Sequence, residues 1–488
     1  MSQPVQVGEL LPGVVAEAIA RAGPGYDRWA EQVAATGYCA HPVRLRGTVD
    51  QIDPATEERR TLYATDREPD ATLLKACGNR RASVCPSCSA TYQADSYQLL
   101  AAGLKGGKGV PDTVAGHPRL FVTFTAPSFG KVHTRKAQGR LVYPCNPYGQ
   151  GQRCPHGQPA GCWHRHDETD PRLGEPLCPG CYDSHAQVIW NALAPELWRR
   201  TTIAIHRALA RRTGLPEAEL SRLVRVSYAK VAEFQRRGAI HFHAIFRLDA
   251  ATDCRCPACL TPPPQPFTAR LLEEAVRQAT AGVTVPCPPL QDRPGERHVR
   301  WGAQLDVRNI THGDDPGELS AEQVAGYVAK YATKATESFG PALNRRLTAD
   351  DLDDLAVPAH VAELVHACWE LGGQPGLLRL RLRAWAHMLG FGGHFSTKSR
   401  RYSTTLGALR RARATYARRR RGDTLPLDAS NPADDDDQAV IIVASWAYLG
   451  SGYQTTGEAW LAASAAARAR EARRIAREEL RTTTFRAA

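Results

Sequence analysis

Residues 238–248, Gly-Ala-Ile-His-Phe-His-Ala-Ile-Phe-Arg-Leu, constrain the fold of this chain more than any other stretch. Branched and aromatic residues in a short run opened by a glycine predict a buried strand. Side chains alternate across a strand, so His241 and His243 share one face and Ile240, Phe242 and Ala244 the other. The fold must bury one face and keep the other polar. Two imidazoles on a rigid element form a bidentate grip on a divalent metal; a strand with two polar residues on a wet face is the plainer alternative. A preceding strand, Leu223–Ala232, leads through a hairpin turn at Gln235-Arg236-Arg237-Gly238. Glu233, at the end of that first strand, is a candidate third ligand or else a solvated or salt-bridged carboxylate.

A second stretch, Gly326-Tyr-Val-Ala-Lys-Tyr-Ala-Thr-Lys334, has a helical pattern. Ser320 is its expected N-cap and Gln323 occupies the capping-box position. Tyr327 and Tyr331 are four apart, so both phenols project from one helix face. Lys330 and Lys334 each follow a tyrosine by three and lie near that face. Read alone, this is a helix packing two tyrosines with lysines at its edge. A third stretch, Arg119–Pro127, is an apolar strand with Thr123 and Thr125 on one face.

Strand, His-x-His strand and Tyr-x-x-Lys-Tyr helix, in that order, resemble the three motifs of rolling-circle replication initiators of the HUH endonuclease superfamily, in its two-tyrosine branch. The wording is most similar to initiators of actinobacterial plasmids and integrative elements. The matching segments are Phe121–Gly130, Val231–Leu248, Arg300–Val307, Val324–Glu337 and His387–Arg413, so the resemblance runs from about residue 77 to 420. It implies an α+β core: an antiparallel sheet with helices on one face and the tyrosine helix across the histidine strand. It also implies metal-dependent, strand-specific nicking of origin DNA, single-stranded or in a hairpin, with Mg²⁺ or Mn²⁺ as the catalytic ion. Tyrosine transesterification would leave a 5′-phosphotyrosine and a free 3′-hydroxyl primer for plasmid replication, followed by rejoining. Tyr331 and Tyr327 would be the nucleophiles, with Tyr331 the obligatory one by analogy with single-tyrosine relatives, and Lys330 would assist them. Mobilisation relaxases put the tyrosine before the histidines and carry a third histidine close behind; here the tyrosines follow, and no third histidine is near His243. A two-tyrosine HUH transposase or a relaxase is the enzymatic alternative. A non-catalytic, zinc-containing DNA-binding regulator is the alternative of another class.

The fourteen cysteines are mostly clustered. No apolar run approaches the roughly 20 residues of a membrane span, and Met1–Glu9 lacks a secretory pattern. A cytoplasmic chain keeps its thiols reduced, so the clusters predict structural Zn²⁺ rather than disulfides. Cys85 and Cys88 form a Cys-x-x-Cys half-site with Cys77 as third ligand; Cys39, His41 or a distant cysteine would be the fourth. A Cys/His-rich insertion at about 140–182 holds a second half-site, Cys178 and Cys181. Cys154 and Cys162 are its expected partners, with His156, His164 or His166 able to substitute, and Cys145 also lies in this loop. Too few periodic apolar residues occur there to bury it, so metal would supply the folding energy. Cys254, Cys256, Cys259 and Cys287, in an insertion at about 254–287, would close a third site.

Lys plus Arg number 62 against 50 acidic residues, a formal charge of +12 that suits a polyanionic partner. The basic, hydroxyl-rich segment from His394 to Ser403 and the Arg-rich helix Leu406–Arg421 carry the phosphate-binding kit. Lys334, Lys398, Arg400, Arg401, Tyr402, Arg410 and Arg411 are the expected DNA contacts. Residues 186–213 form an amphipathic helix in which Pro195 marks a break or a new start. Four regions follow: 1–110, helical with a zinc knuckle; 111–340, the endonuclease core with its insertions; 341–425, helical and basic; and 426–488, an acidic linker and C-terminal helix. No nucleotide-binding Gly-Lys-Ser/Thr loop is visible, so unwinding and synthesis fall to host helicase and polymerase.

Overall fold

The computed structural model describes residues 12–54, 56–149, 151–252, 257–289, 295–311, 319–333, 336–421 and 441–486. In chain order the elements are α1 (Pro12–Arg21), α2 (Tyr26–Ala35), β1 (Val43–Ile52), β2 (Arg59–Ala64), β3 (Leu73–Lys75), α3 (Pro86–Lys105), β4 (Arg119–Phe124), β5 (Lys136–Gln138) and β6 (Leu141–Tyr143). Then come α4 (Ser184–Thr213), α5 (Glu217–Leu223), β7 (Val224–Phe234), β8 (Ile240–Ala250), α6 (Ala269–Gly282), β9 (Thr284–Cys287), β10 (Arg297–Arg300), β11 (Leu305–Asn309) and α7 (Ala321–Tyr331). The last are α8 (Ala359–Leu371), β12 (Ser396–Lys398), α9 (Leu406–Arg421), β13 (Ile441–Ser451) and α10 (Thr456–Arg486). No helix among the described residues is long and apolar enough to cross a membrane.

Two compact units result: Met1–Tyr92 with Ala412–Ala488, and Gln93–Arg411. In the first, β1 pairs antiparallel with β13 along its whole length, from Val43 opposite Ser451 to Ile52 opposite Ile441. The opposite edge of β1 pairs with β2 and β3. The two chain ends, expected as separate regions, thus share one sheet. A small core of Trp29, Val33, Leu74 and Ala462 joins α2, β3 and α10.

The second unit is built on a five-stranded sheet of order β11-β4-β8-β7-β12, antiparallel at every pairing. One face is apolar. Trp198 of α4 sits at its centre, its ring 5.7 Å from Phe124, 5.9 Å from Phe242, 5.8 Å from Phe246 and 5.4 Å from Tyr228. Helix α4 is capped by the Asp183 carboxylate, which accepts from the Ala186 N–H, and ends at Gly214, whose φ of 71° suits a residue without Cβ. Pro195 lies inside this helix and does not break it, a correction: the helix packs along its length onto the sheet, α6 and α8, and tertiary burial outweighs one missing N–H.

Buried Asn191 of α4 fixes the hairpin that carries the histidines. Its amide nitrogen donates to the Gly238 and Leu389 carbonyls at 3.0 and 2.8 Å, and its amide oxygen accepts from the Ile240 N–H at 3.0 Å. Gly238 has φ 77°, and a Cβ there would come within 2.7 Å of Leu364, so the turn needs glycine on both counts. Helices were expected on one face only; the structure puts them on both. Val324, Ala325, Val328 and Ala329 give α7 a buried stripe, which it covers on the histidine face of the sheet, and the end of α3 lies beside it through Lys105 and Glu322, 2.7 Å apart.

Removing the hub of the apolar face has a defined cost. Trp198→Ala is expected to destabilise the second unit by about 3–5 kcal/mol, read as an earlier urea transition by circular dichroism. An unshifted transition would contradict this packing.

Candidate active site

The register of the sheet assembles the site. Glu233 on β7 lies opposite His241 on β8, and Thr123 on β4 lies opposite His243. All four side chains leave the same face, because directly paired residues share a face and His241 and His243 are two apart on one strand. Glu233 Oε2 stands 3.0 Å from His241 Nε2 and 3.1 Å from His243 Nε2. The three ligand atoms lie close enough to hold one ion. Ligands at about 2.1 Å from an octahedral ion are about 3.0 Å from one another, so these separations fit a small divalent cation. Thr123 Oγ1 is 3.1 Å from His243 Nδ1. An Nδ1–H donating to that hydroxyl is the tautomer that would turn the Nε2 lone pair toward a bound ion.

Burial raises the Glu233 carboxyl, but hydrogen bonds from His241 and His243 outweigh it and hold the pKa down to about 2. Burial pushes His243 below its ordinary value, the neighbouring His241 adds to this, and Glu233 opposes it. The result is an anionic carboxylate beside an imidazole that favours its neutral form, the protonation states a metal needs.

Both tyrosines of α7 turn to this triad. The helix is capped as its sequence predicts, with Ser320 and Gln323 forming a complete capping box. The Tyr327 ring is 5.2 Å and the Tyr331 ring 5.4 Å from the His243 ring, and the two phenol rings are 4.8 Å apart. Phe121 stacks on His243 at 5.9 Å and meets Tyr327 edge-on at 5.9 Å, fixing both rings. Burial raises the Tyr327 phenol above its usual range; its hydrogen bond with Tyr331 and the Glu233 charge push the same way, and Arg308 opposes them. Lys330 Nζ lies 6.0 Å from the Tyr331 ring centre. Lys334 lies outside the described residues. Arg308, ion-paired with Asp306 at 3.0 Å, was missed at the sequence level; its place on the histidine face follows only from the pairing of β11 with β4.

The cysteines form tetrads. Cys39, Cys77, Cys85 and Cys88 converge in the first unit, so Cys39 is the fourth member. Cys77 and Cys88 sulfurs are 3.7 Å apart, Cys85 and Cys39 sulfurs 3.8 Å. Four thiolates at about 2.3 Å from a tetrahedral ion are about 3.8 Å apart, whereas a disulfide would bring two sulfurs to about 2.0 Å. The insertion after β4 holds two such groups rather than the one expected. Cys162 joins His133, Cys145 and His166, while Cys154 joins His156, Cys178 and Cys181. Cys162 Sγ is 3.6 Å from His166 Nε2, and His133 Nδ1 is 3.2 Å from that same nitrogen. Asp170 accepts from His166 Nδ1–H at 2.7 Å and orients the ring. In the other group His156 Nδ1 is 3.7 Å from Cys178 and 3.2 Å from Cys181. These donor sets fit a metal such as zinc. Grouping Cys154 with Cys162 is corrected because a backbone pairing of Cys162 with Asn146 draws it to Cys145. His133 carried no signal: it stands alone in sequence, and only the fold brings it to Cys145.

Of the expected third site, Cys254 and Cys256 lie outside the described residues, and Cys287 is a free thiol in no cluster among them.

The basic C-terminal segment of this unit divides. Arg400, Arg410 and Arg411 are exposed. Tyr402 is fully buried and is corrected to a core residue: its hydroxyl donates to the Leu100 carbonyl at 3.2 Å, its ring lies 5.4 Å from the Arg247 guanidinium, and it fills the space left by Gly103. Lys398 and Arg401 are half-buried and spend their donors on backbone carbonyls, Lys398 on Arg400 and Ser403 at 3.2 and 3.0 Å and Arg401 on Thr252 at 2.7 Å.

Comparison with known proteins gives the family of the chain. A family model described as "Replication initiator protein, pSAM2" matches residues 25–467. A "Replication initiator protein" of Streptomyces ambofaciens is 44% identical over 483 residues, which is 98% of this chain and 96% of that protein. No solved structure matches. With the match running through both units and through the histidine strand and tyrosine helix alike, the chain belongs to the pSAM2 type of replication initiator protein.

Proposed function

We propose that this initiator opens replication by nicking one strand of its origin through tyrosine transesterification, as an HUH endonuclease. The observation that carries the reading is the convergence of Glu233, His241 and His243 with both phenols of α7 around one ring, that of His243. A regulator without catalysis has no use for two tyrosines set around the histidine of a carboxylate–histidine triad. A bound Mg²⁺ or Mn²⁺ would neutralise charge developing on the scissile phosphate.

The residues divide the work. Glu233, His241 and His243 would hold the ion, and Thr123 orients His243. The Tyr331 phenol oxygen attacks phosphorus and gives up its proton to water, the bond from phosphorus to the 3′ oxygen breaks, and that oxygen takes a proton from water in return. The products are a 5′-phosphotyrosine and a free 3′-hydroxyl, which primes synthesis by the host polymerase behind a host helicase. Tyr331 acts first: Lys330 stands beside it, while burial and the Glu233 charge favour the protonated form of Tyr327. Tyr327 cuts the regenerated origin while Tyr331 still holds the first end. Arg400, Arg410 and Arg411 supply phosphate contacts. Zinc in the three Cys/His tetrads is structural, and the protein acts in the cytoplasm.

Four outcomes are expected. Incubation of single-stranded origin DNA with Mn²⁺ gives a covalent adduct, and His241→Ala/His243→Ala lowers its formation at least a hundredfold while DNA affinity changes little; undiminished adduct would remove the metal assignment. Peptide mapping finds DNA on Tyr331 after a single turnover. Tyr327→Phe still nicks once but fails to complete a replication cycle; full plasmid replication by Tyr327→Phe would reject the two-tyrosine mechanism. Elemental analysis finds zinc in all three tetrads, and Cys145→Ser/Cys162→Ser loses one ion and no more; a stably folded, zinc-free chain would sink the structural role.

A further inference from the structure

The sheet face that carries Glu233, His241 and His243 continues into a cleft of about 680 Å³. Two strands lead into it. Thr125 lies two residues beyond Thr123, and Gln235 two residues beyond Glu233, and both line the cleft. Two residues of strand span on the order of 7 Å, about one nucleotide step along an extended single strand. Gln304, just before β11, closes one side, and the Cys/His insertion forms the opposite wall through Arg135 and Glu168.

The walls are held firmly. Gly174 of the insertion has φ 96°, and a Cβ there would lie 2.5 Å from the Arg236 carbonyl, so the insertion is seated directly on the hairpin turn. The Gly174 N–H donates to His133 O at 2.9 Å and the His133 N–H to Glu175 O at 2.8 Å, so the tetrad containing His133 braces this wall. Arg237 ties the floor together, donating to Pro127 O at 3.1 Å and to Gln235 Oε1 at 2.9 Å. The mouth exposes Arg135, Arg236, Gln304 and Ser128, and also the Glu168 carboxylate. Arg236 donates to the Glu168 backbone carbonyl at 2.6 Å, so that bond leaves its charge uncancelled, and Arg135 lies 3.6 Å from the Glu168 carboxylate.

We propose that this cleft receives one unstacked nucleotide of the single strand, next to the phosphate that lies on the triad. The base enters, the Gln304 amide offers its edge a donor and an acceptor, and Arg236 and Arg135 hold the flanking phosphate. The volume falls within the usual range for small-ligand pockets, roughly 300–1,000 Å³, and admits a base only when it has left the stack. The proposal rests on the nicking reading and adds to it a subsite that reads sequence, built partly from the metal-stapled insertion.

The test uses the full chain as Tyr327→Phe/Tyr331→Phe, which cannot consume its probe. The probe is a random-sequence single-stranded oligonucleotide containing photoreactive 4-thiothymine. Crosslinks should map to the peptides around Thr125, Arg135 and Gln304. Adding Gln304→Ala and Arg236→Ala, both exposed side chains, should lower affinity about tenfold, the size of one lost base contact, with an unchanged circular dichroism spectrum. Wild-type protein is assayed in parallel for the covalent adduct with Mn²⁺. Adduct from wild type, together with unaltered affinity and crosslinks outside the cleft, would overturn the cleft and leave nicking standing. No adduct, with the affinity loss and cleft crosslinks intact, would overturn nicking and leave the cleft as a nucleotide site.

Discussion

The two-residue repeat of one strand, β8, governs the second unit. Its even and odd positions belong to different solvents. Phe242, Ala244 and Phe246 are fully buried in the aromatic layer around Trp198, and that burial fixes the strand's register. A slip by one residue would drive His241 and His243 into the apolar layer, leaving two imidazoles without partners. The hydrophobic face therefore does the aiming for the polar one. Asn191 adds a second lock by holding Gly238, Ile240 and Leu389 together, so the turn that aligns Glu233 with His241 cannot shift alone.

The same logic separates folding from chemistry. The residues that stabilise the sheet lie on α4, α6 and α8; those proposed to react lie on the opposite face, under α7. That face includes a second, wholly structural polar network. Arg247 is buried and donates to Asp249, which also accepts from Ser227 and pairs with His117 at 2.7 Å. A buried guanidinium needs this full set of partners, and the set anchors α3 through the Gly103 carbonyl. The Cys/His insertion lacks a comparable apolar layer among the described residues, and its two tetrads would take the place of a core once metal is bound.

Much of this was legible in the sequence because periodicity decides it. The alternation in 238–248 placed both histidines and Phe242 on their faces, and the i, i+4 spacing put Tyr327 and Tyr331 on one side of a helix. Cys85-x-x-Cys88 pointed to its own tetrad. What sequence could not reach depends on contacts between distant segments. Cys162 and Cys154 are close in the chain yet part company, because strand-like pairing with Asn146 and the Cys178–Cys181 turn pull them apart. Tyr402 stands among arginines and hydroxyls and reads as a surface residue; its burial is decided by Gly103, about three hundred positions away, whose missing side chain makes room for the ring. The pairing of β1 with β13 joins the two ends of the chain, and neither strand carries a mark of its partner.

The central claim is that Glu233, His241 and His243 hold one divalent ion facing both phenols of α7. Anomalous diffraction at the manganese edge, from crystals of the protein soaked in Mn²⁺, tests it most directly. The account predicts a manganese peak at coordination distance from all three side chains and open toward Tyr327 and Tyr331. Manganese bound elsewhere, with the carboxylate still bonded directly to both imidazoles, would contradict it.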